Sequence, residues 1–170
     1  MKTKSLTLLA LFLCMNLSFA QSFETDTESK TEVSKLHFMA GKWKGEGWMY
    51  TPDRQKMTFK QTENIQFKLD STTLLIEGLG MNEGKIVHNA MAIVSYDKEQ
   101  NLYSFRSYLQ NGRKGEFKGE LIDGKFYWYP NDNMRYIIAL NDQGQWYETG
   151  EYKRENDWFQ FFEMTLNKVD

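Results

Sequence analysis

From Gly41 onward, apolar and polar residues tend to alternate with a period of two, and clusters of turn-forming residues interrupt the alternation at a fairly steady interval. The clusters are Pro52-Asp53, Asp70-Ser71, Asn82-Glu83-Gly84, Asp97-Lys98, Asn111-Gly112, Asp123-Gly124, Asn131-Asp132, Asn141-Asp142-Gln143-Gly144 and Asn156-Asp157. They punctuate about ten strands. Asn111-Gly112 and Asp123-Gly124 carry the strongest signal, because a two-residue hairpin needs positive φ at its central residues and these dipeptides tolerate it. The stretch after Gly144 illustrates the alternation, with Trp146, Glu148, Gly150 and Tyr152 on one face and Gln145, Tyr147, Thr149 and Glu151 on the other. Strands half-buried on one face of an antiparallel sheet read this way.

Upstream the period is helical. Ser29 followed three residues later by Glu32 makes a capping-box pattern, Val33, Leu36 and Ala40 recur at helical spacing, and Gly41 ends the run. The spacing predicts a short helix over about 30–39. Residues 21–31 are polar apart from Phe23 and predict a flexible lead-in, so that one domain runs from 32 to 170. No second long helical pattern is available for crossover connections, which excludes a parallel sheet. The expected fold is all-β: an antiparallel up-and-down β-barrel of about ten strands with a short N-terminal plug helix. A meander of this many strands leaves two exposed edges unless it closes, and closure encloses space that side chains only partly fill.

The first residues change the picture of where the chain works. Lys2 and Lys4 precede an apolar run from Leu6 to Leu17 that closes with Ser18-Phe19-Ala20, the pattern of a signal peptide, 1–20, cleaved after Ala20. The expected location is therefore extracytoplasmic, periplasmic or extracellular, with no transmembrane segment in the mature chain. The only cysteine, Cys14, lies in this leader behind Leu13 rather than the small residue that lipoprotein processing favours. The mature chain would have no disulfide and would depend on its packed core. Taking Lys2 and Lys4 from the 21 basic residues leaves 19 against 23 acidic ones, a formal charge of about −4 that gives no footprint for nucleic acid.

The segment Leu36-His37-Phe38-Met39-Ala40-Gly41-Lys42-Trp43-Lys44-Gly45-Glu46-Gly47 resembles the helix-to-first-strand signature of lipocalin-like (calycin) barrels, in which Gly-x-Trp-x-Gly enters the barrel beneath a plug helix. The likeness is nearest to the nitrobindin-like group, and Ser95-Tyr96-Asp97-Lys98 with Leu102-Tyr103-Ser104-Phe105 resembles the strand-turn-strand centre of related bacterial exported domains. Physically, Trp43 would seal the barrel bottom, while Gly45 and Gly47 would let the backbone bend and approach the helix. The resemblance implies haem held by a histidine on a late strand. The corresponding stretch here, Trp158 to Met164, has none, so haem is disfavoured and no cofactor is predicted. Met164 reads as core filler rather than as an axial ligand.

Candidate chemistry is sparse. His88 shares a face with Ile86, Ala90, Ala92 and Val94, which points it toward an apolar side. As a metal ligand it fails on number, His37 being the only other histidine. Arg106 alternates with Ser104 and Tyr108 against Tyr103, Phe105, Ser107 and Leu109, and Arg135 lies beside Ile137 and Ala139; alternation leaves open which face is inner. An inward arginine would need a carboxylate, from Glu148 or Glu163 or from a ligand's anionic head group. The aromatic run Phe126-Tyr127-Trp128-Tyr129 sends two rings to each side. Trp43, His88, Arg106, Tyr108, Trp128 and Arg135 are the candidate ligand contacts. The expected function is binding of a small apolar or amphipathic molecule. The alternatives are a barrel isomerase or hydrolase using His88 as base with Arg106 or Arg135, and an interaction module with no ligand. No nucleophile elbow or phosphate-binding loop supports the enzyme.

Overall fold

The computed structural model describes residues 23–169; the predicted leader lies outside them. Ten antiparallel strands form a closed barrel in simple up-and-down order: β1 (Gly41–Tyr50), β2 (Lys56–Lys68), β3 (Thr73–Asn82), β4 (Lys85–Asp97), β5 (Leu102–Leu109), β6 (Lys114–Ile122), β7 (Lys125–Asn131), β8 (Met134–Leu140), β9 (Trp146–Arg154) and β10 (Asp157–Val169). The first and last strands close it, from Lys42 opposite Val169 to Met49 opposite Phe162. No strand edge is left unpaired.

Each of the nine turn clusters falls at or beside a hairpin. Asp123-Gly124 has positive φ at both residues and joins Ile122 to Lys125 in two residues, as its sequence predicts. Asn111-Gly112 behaves differently. Only Gly112 has positive φ, Gly112 N–H donates to Leu109 O, and Leu109 N–H donates to Arg113 O across a three-residue loop. That is a type I turn followed by a left-handed glycine, which asks positive φ of one residue instead of two.

The helix α1 spans Thr27–Ser34 and continues as a 3₁₀ turn over Lys35–Met39. It begins before the predicted position because Asp26, not Ser29, is the N-cap: its carboxylate accepts from the N–H groups of Glu28 and Ser29. The last residues of the polar 21–31 stretch are thus helical. They are tied to the barrel rim by Asp26–Lys98 at 2.6 Å and Lys30–Asp70 at 2.9 Å.

One end of the barrel is filled. Val33, Leu36 and Met39 from the helical segment meet Trp43, Ile65, Leu74, Val94, Phe126, Trp146 and Leu166, all at most 2% exposed. Trp43 donates its indole N–H to Met39 O at 2.9 Å and packs against Trp146 with ring centroids 5.9 Å apart. Burial of this many large side chains is what holds the plug in place. Gly45 and Gly47 serve a neighbour other than the helix: a Cβ at Gly45 would lie 2.1 Å from Thr165 O, and one at Gly47 2.5 Å from Glu163 O and 2.5 Å from the Phe59 ring. They allow β10 and the Phe59 ring to press onto β1.

Candidate functional site: a cavity with a polar floor

Above the filled end the barrel is hollow. A cavity of about 370 Å³ opens between the hairpins at the end opposite the helix, within the range of small-molecule sites. Met49, Val87, Leu109, Pro130 and Met134 line its outer part. On one wall Phe105, Trp128 and Tyr136 form a continuous stack, with centroids 4.5 and 4.3 Å apart and planes within 7° and 4° of parallel. Phe59 and Phe162 stack on each other at 5.8 Å and also line the cavity.

The deep polar residues are Gln61, Glu63 and Glu148. Gln61 and Glu63 follow Phe59 in phase along β2 and point inward, 3% and 7% exposed; Glu148 follows Trp146 on β9, 8% exposed. Gln61 Nε2 donates to Glu63 Oε1 at 2.6 Å, and Trp146 Nε1 donates to Glu148 Oε2 at 3.2 Å. Gln61 Oε1 and Glu63 Oε2 are buried without a partner. Two glycines on β3 make the room: a Cβ at Gly78 would lie 2.6 Å from Glu63 Oε1, and one at Gly80 2.5 Å from Gln61 Oε1.

Burial away from water disfavours the charged carboxylate, so Glu63 is pushed up to about 7. Glu148 is pushed up to about 8 by burial first and by the charge of Glu63 second. His88, on β4 and facing the same cavity, is shifted the other way, its imidazolium disfavoured by burial. Arg113, at the rim, is the only Lys or Arg lining the cavity.

Of the six sequence candidates, the structure brings His88 and Trp128 together on the cavity lining. Trp43 lies below it, in the sealed end. Arg106 and Tyr108 are on the exposed face of β5, where Arg106 pairs with Glu116 at 3.0 Å. Arg135 is on the outer face of β8, paired with Glu151 at 2.7 Å and lying over the Trp158 ring at 4.0 Å. The ambiguous alternation is resolved in favour of Tyr103, Phe105, Ser107 and Leu109 inward. The carboxylates weighed as partners for an inward arginine have other roles. Glu163 accepts from Trp48, Tyr147 and Gln160, and Glu148 faces the cavity with no arginine beside it. Ile86 does not share the His88 face, because the β3–β4 register shifts between Gly80 and Met81 and turns both Val87 and His88 inward, leaving Ile86 exposed.

Gln61 and Glu63 escaped the sequence reading because polar residues on a strand are ordinarily placed outward. Their phase with Phe59, Ile65 and Phe67, two residues apart along β2, is the signal that locates them.

No histidine stands on the late strand where the resemblance places the haem ligand. The inward positions of β10 are Phe162, Met164 and Leu166, and Met164 is packed against Gly47 in the wall, 4% exposed. A group bearing two carboxylates would meet the Glu63–Glu148 pair below and the single Arg113 above. Among the described residues no group of three or more His, Cys, Asp or Glu converges as a metal site.

No family model matches the sequence, and no curated protein matches it. Among solved structures, Rv2717c from M. tuberculosis is similar, with a TM-score of 0.57 over 84% of this chain and 98% of that one at 8% identity, a likeness that shows the fold alone.

Proposed function

We propose that this protein is a small-molecule binding protein of the lipocalin-like (calycin) type, holding an apolar or amphipathic ligand inside the barrel and working outside the cytoplasm after removal of residues 1–20. The observation that carries the reading is the cavity itself: an aromatic and aliphatic lining with a few polar groups at its deep end and one mouth. His88 and Trp128 are the contacts retained from the sequence candidates, with Phe105, Tyr136 and the floor residues added. An interaction module with a filled interior is the poorer reading, since the space enclosed at the open end of the barrel is not taken up by side chains.

The test is native mass spectrometry of the protein purified from its own cell envelope. A bound small molecule released on denaturation, and a thermal midpoint that rises when that molecule is returned, is the expected result, because a ligand that binds only the native state must stabilise it. An empty barrel whose midpoint no lipid extract moves overturns the proposal. The same spectrum reads the N-terminal residue, which is Gln21 if the leader is cleaved after Ala20.

A further inference from the structure

The floor of the cavity is rich in acceptor oxygens. The Gln61 amide donates to Glu63 and the Trp146 indole to Glu148. Beyond these stand more oxygens than side-chain donors, including the buried and unpartnered Gln61 Oε1 and Glu63 Oε2. Buried polar atoms are ordinarily satisfied, and these two orphans belong to side chains that line the cavity, where a small rotation turns them toward a ligand. Gly78 and Gly80 keep space open for this arrangement where any larger residue would press on it. Among the described residues no lysine or arginine lines the floor, so an anionic head group would find no cation there.

We propose, building on the cavity reading above, that the ligand is an apolar primary amine. Its ammonium group sits against Gln61 Oε1, Glu63 and Glu148, and its apolar body lies along the Phe105–Trp128–Tyr136 wall. An ammonium brings three donors and no acceptor, the complement of this floor. Its charge balances one carboxylate while the second carboxyl stays protonated, so the occupied site is neutral. The stacked aromatic faces and Trp146 add an environment that tolerates a cation.

The electrostatics supply a signature. The titratable or charged groups facing this pair are His88 from β4, Tyr136 from β8 and Arg113 at the rim. Burial lowers the pKa of His88 below its usual 6.5, the Tyr136 phenol is pushed up by burial and by Glu148, and Arg113 lies at the rim. Above pH 6.5 the carboxyl pair is therefore the group whose change of charge dominates. An ammonium favours one ionised carboxyl, so below about pH 7.5, where the empty pair holds more than one proton, its arrival expels a proton, and its affinity rises with pH up to that point.

Three probes of one chain length separate the possibilities: octylamine, octanol and octanoate, titrated calorimetrically into protein stripped of any carried molecule, in buffers of differing ionisation enthalpy. The expected result is octylamine binding at least about tenfold more tightly than octanol at pH 7.5, and octanoate most weakly, since hydrogen bonds to charged groups are the stronger class. Only octylamine should release protons, well over half of one at pH 6.5 and almost none at pH 7.5, where the empty pair already holds about one proton. In Glu63→Gln/Glu148→Gln the preference for octylamine over octanol should vanish. Octanol or octanoate binding as tightly as octylamine, or amine binding without proton release at pH 6.5, overturns the amine assignment and leaves the cavity reading standing. Failure of all three to bind overturns both. Proton release is read on the unmutated protein, so the proposal is decided even if the double variant does not fold.

Discussion

The two ends of the barrel are built from the same strands and put to opposite uses. At the helix end, inward side chains are large and interlocked: Trp43, Trp146, Phe126, Leu36 and Met39 are essentially removed from water. At the other end, inward positions carry Val87, Ala90, Leu109, Pro130 and Met134 around open space, and the hairpins form a rim rather than a lid. Gln61, Glu63 and Glu148 lie deep in that space, near where packing begins. A closed barrel without a plug would need its whole interior filled to be stable. Concentrating the packing at one end lets the other stay hollow and lets carboxyl groups lie where hydrocarbon would be more stabilising. The outer surface shows the contrast in charge: Glu116, exposed and bonded to Arg106 and Ser104, has its carboxyl held below the usual range, whereas Glu63 and Glu148 are raised.

The sharpest way to break this division is at the plug. Trp43→Ala removes the partner of Trp146 and the hydrogen bond to Met39 O, and should cost about 3–5 kcal/mol, read as a fall in the urea midpoint. The floor should respond to pH instead. Carboxyls with native pKa raised above their unfolded values contribute stability that is lost as pH rises from about 4.5 through their native values near 7 and 8. His88, depressed below 6.5, works in the opposite sense and only below that value. From pH 6.5 to 8 the carboxyls therefore dominate among these inward groups, and stability should fall by an amount on the order of 1–2 kcal/mol, a slope that Glu148→Gln should largely remove. A flat thermal midpoint over that interval would contradict the raised values.

Gly78→Ala should cost less, roughly 1 kcal/mol, because the new methyl meets the end of the Glu63 side chain, which can give way only by disturbing its bond to Gln61. Its effect on occupancy should exceed its effect on stability, visible as weaker ligand protection at nearly unchanged midpoint. Smallest of all, Lys30→Ala should change the midpoint by the equivalent of about 0–1 kcal/mol, since Lys30–Asp70 is an exposed pair.

Much of the scaffold was legible because local chemistry decides it. Turn dipeptides and the two-residue period fix where strands start, stop and face, and only ten antiparallel strands with short connections satisfy them. Two things were not legible. The register shift before His88 adds one residue to one strand, and a period-two count carried across it assigns Ile86 to the wrong side. The inward carboxyls break the rule that charge goes outward, and for Glu63 the rule can be broken because a glycine directly opposite on the neighbouring strand, invisible to a reading of one strand at a time, leaves it room. The arginines drew attention because their charge seemed to need explaining, but each found a carboxylate across the outer face at ordinary distance.

Closure by the first and last strands has a consequence for synthesis. Eight of the ten strands can pair with both neighbours as the chain lengthens, but β1 keeps a bare edge until β10 emerges, and Lys42 meets its partner Val169 only when the last strand of the barrel has been made. During that interval the protein is an open sheet with two free borders, the form most prone to join another copy of itself. Loss of β10 would prolong that condition indefinitely, so a truncation that removes Asp157–Val169 should be read out as aggregation in the cell well before any loss of binding could be measured.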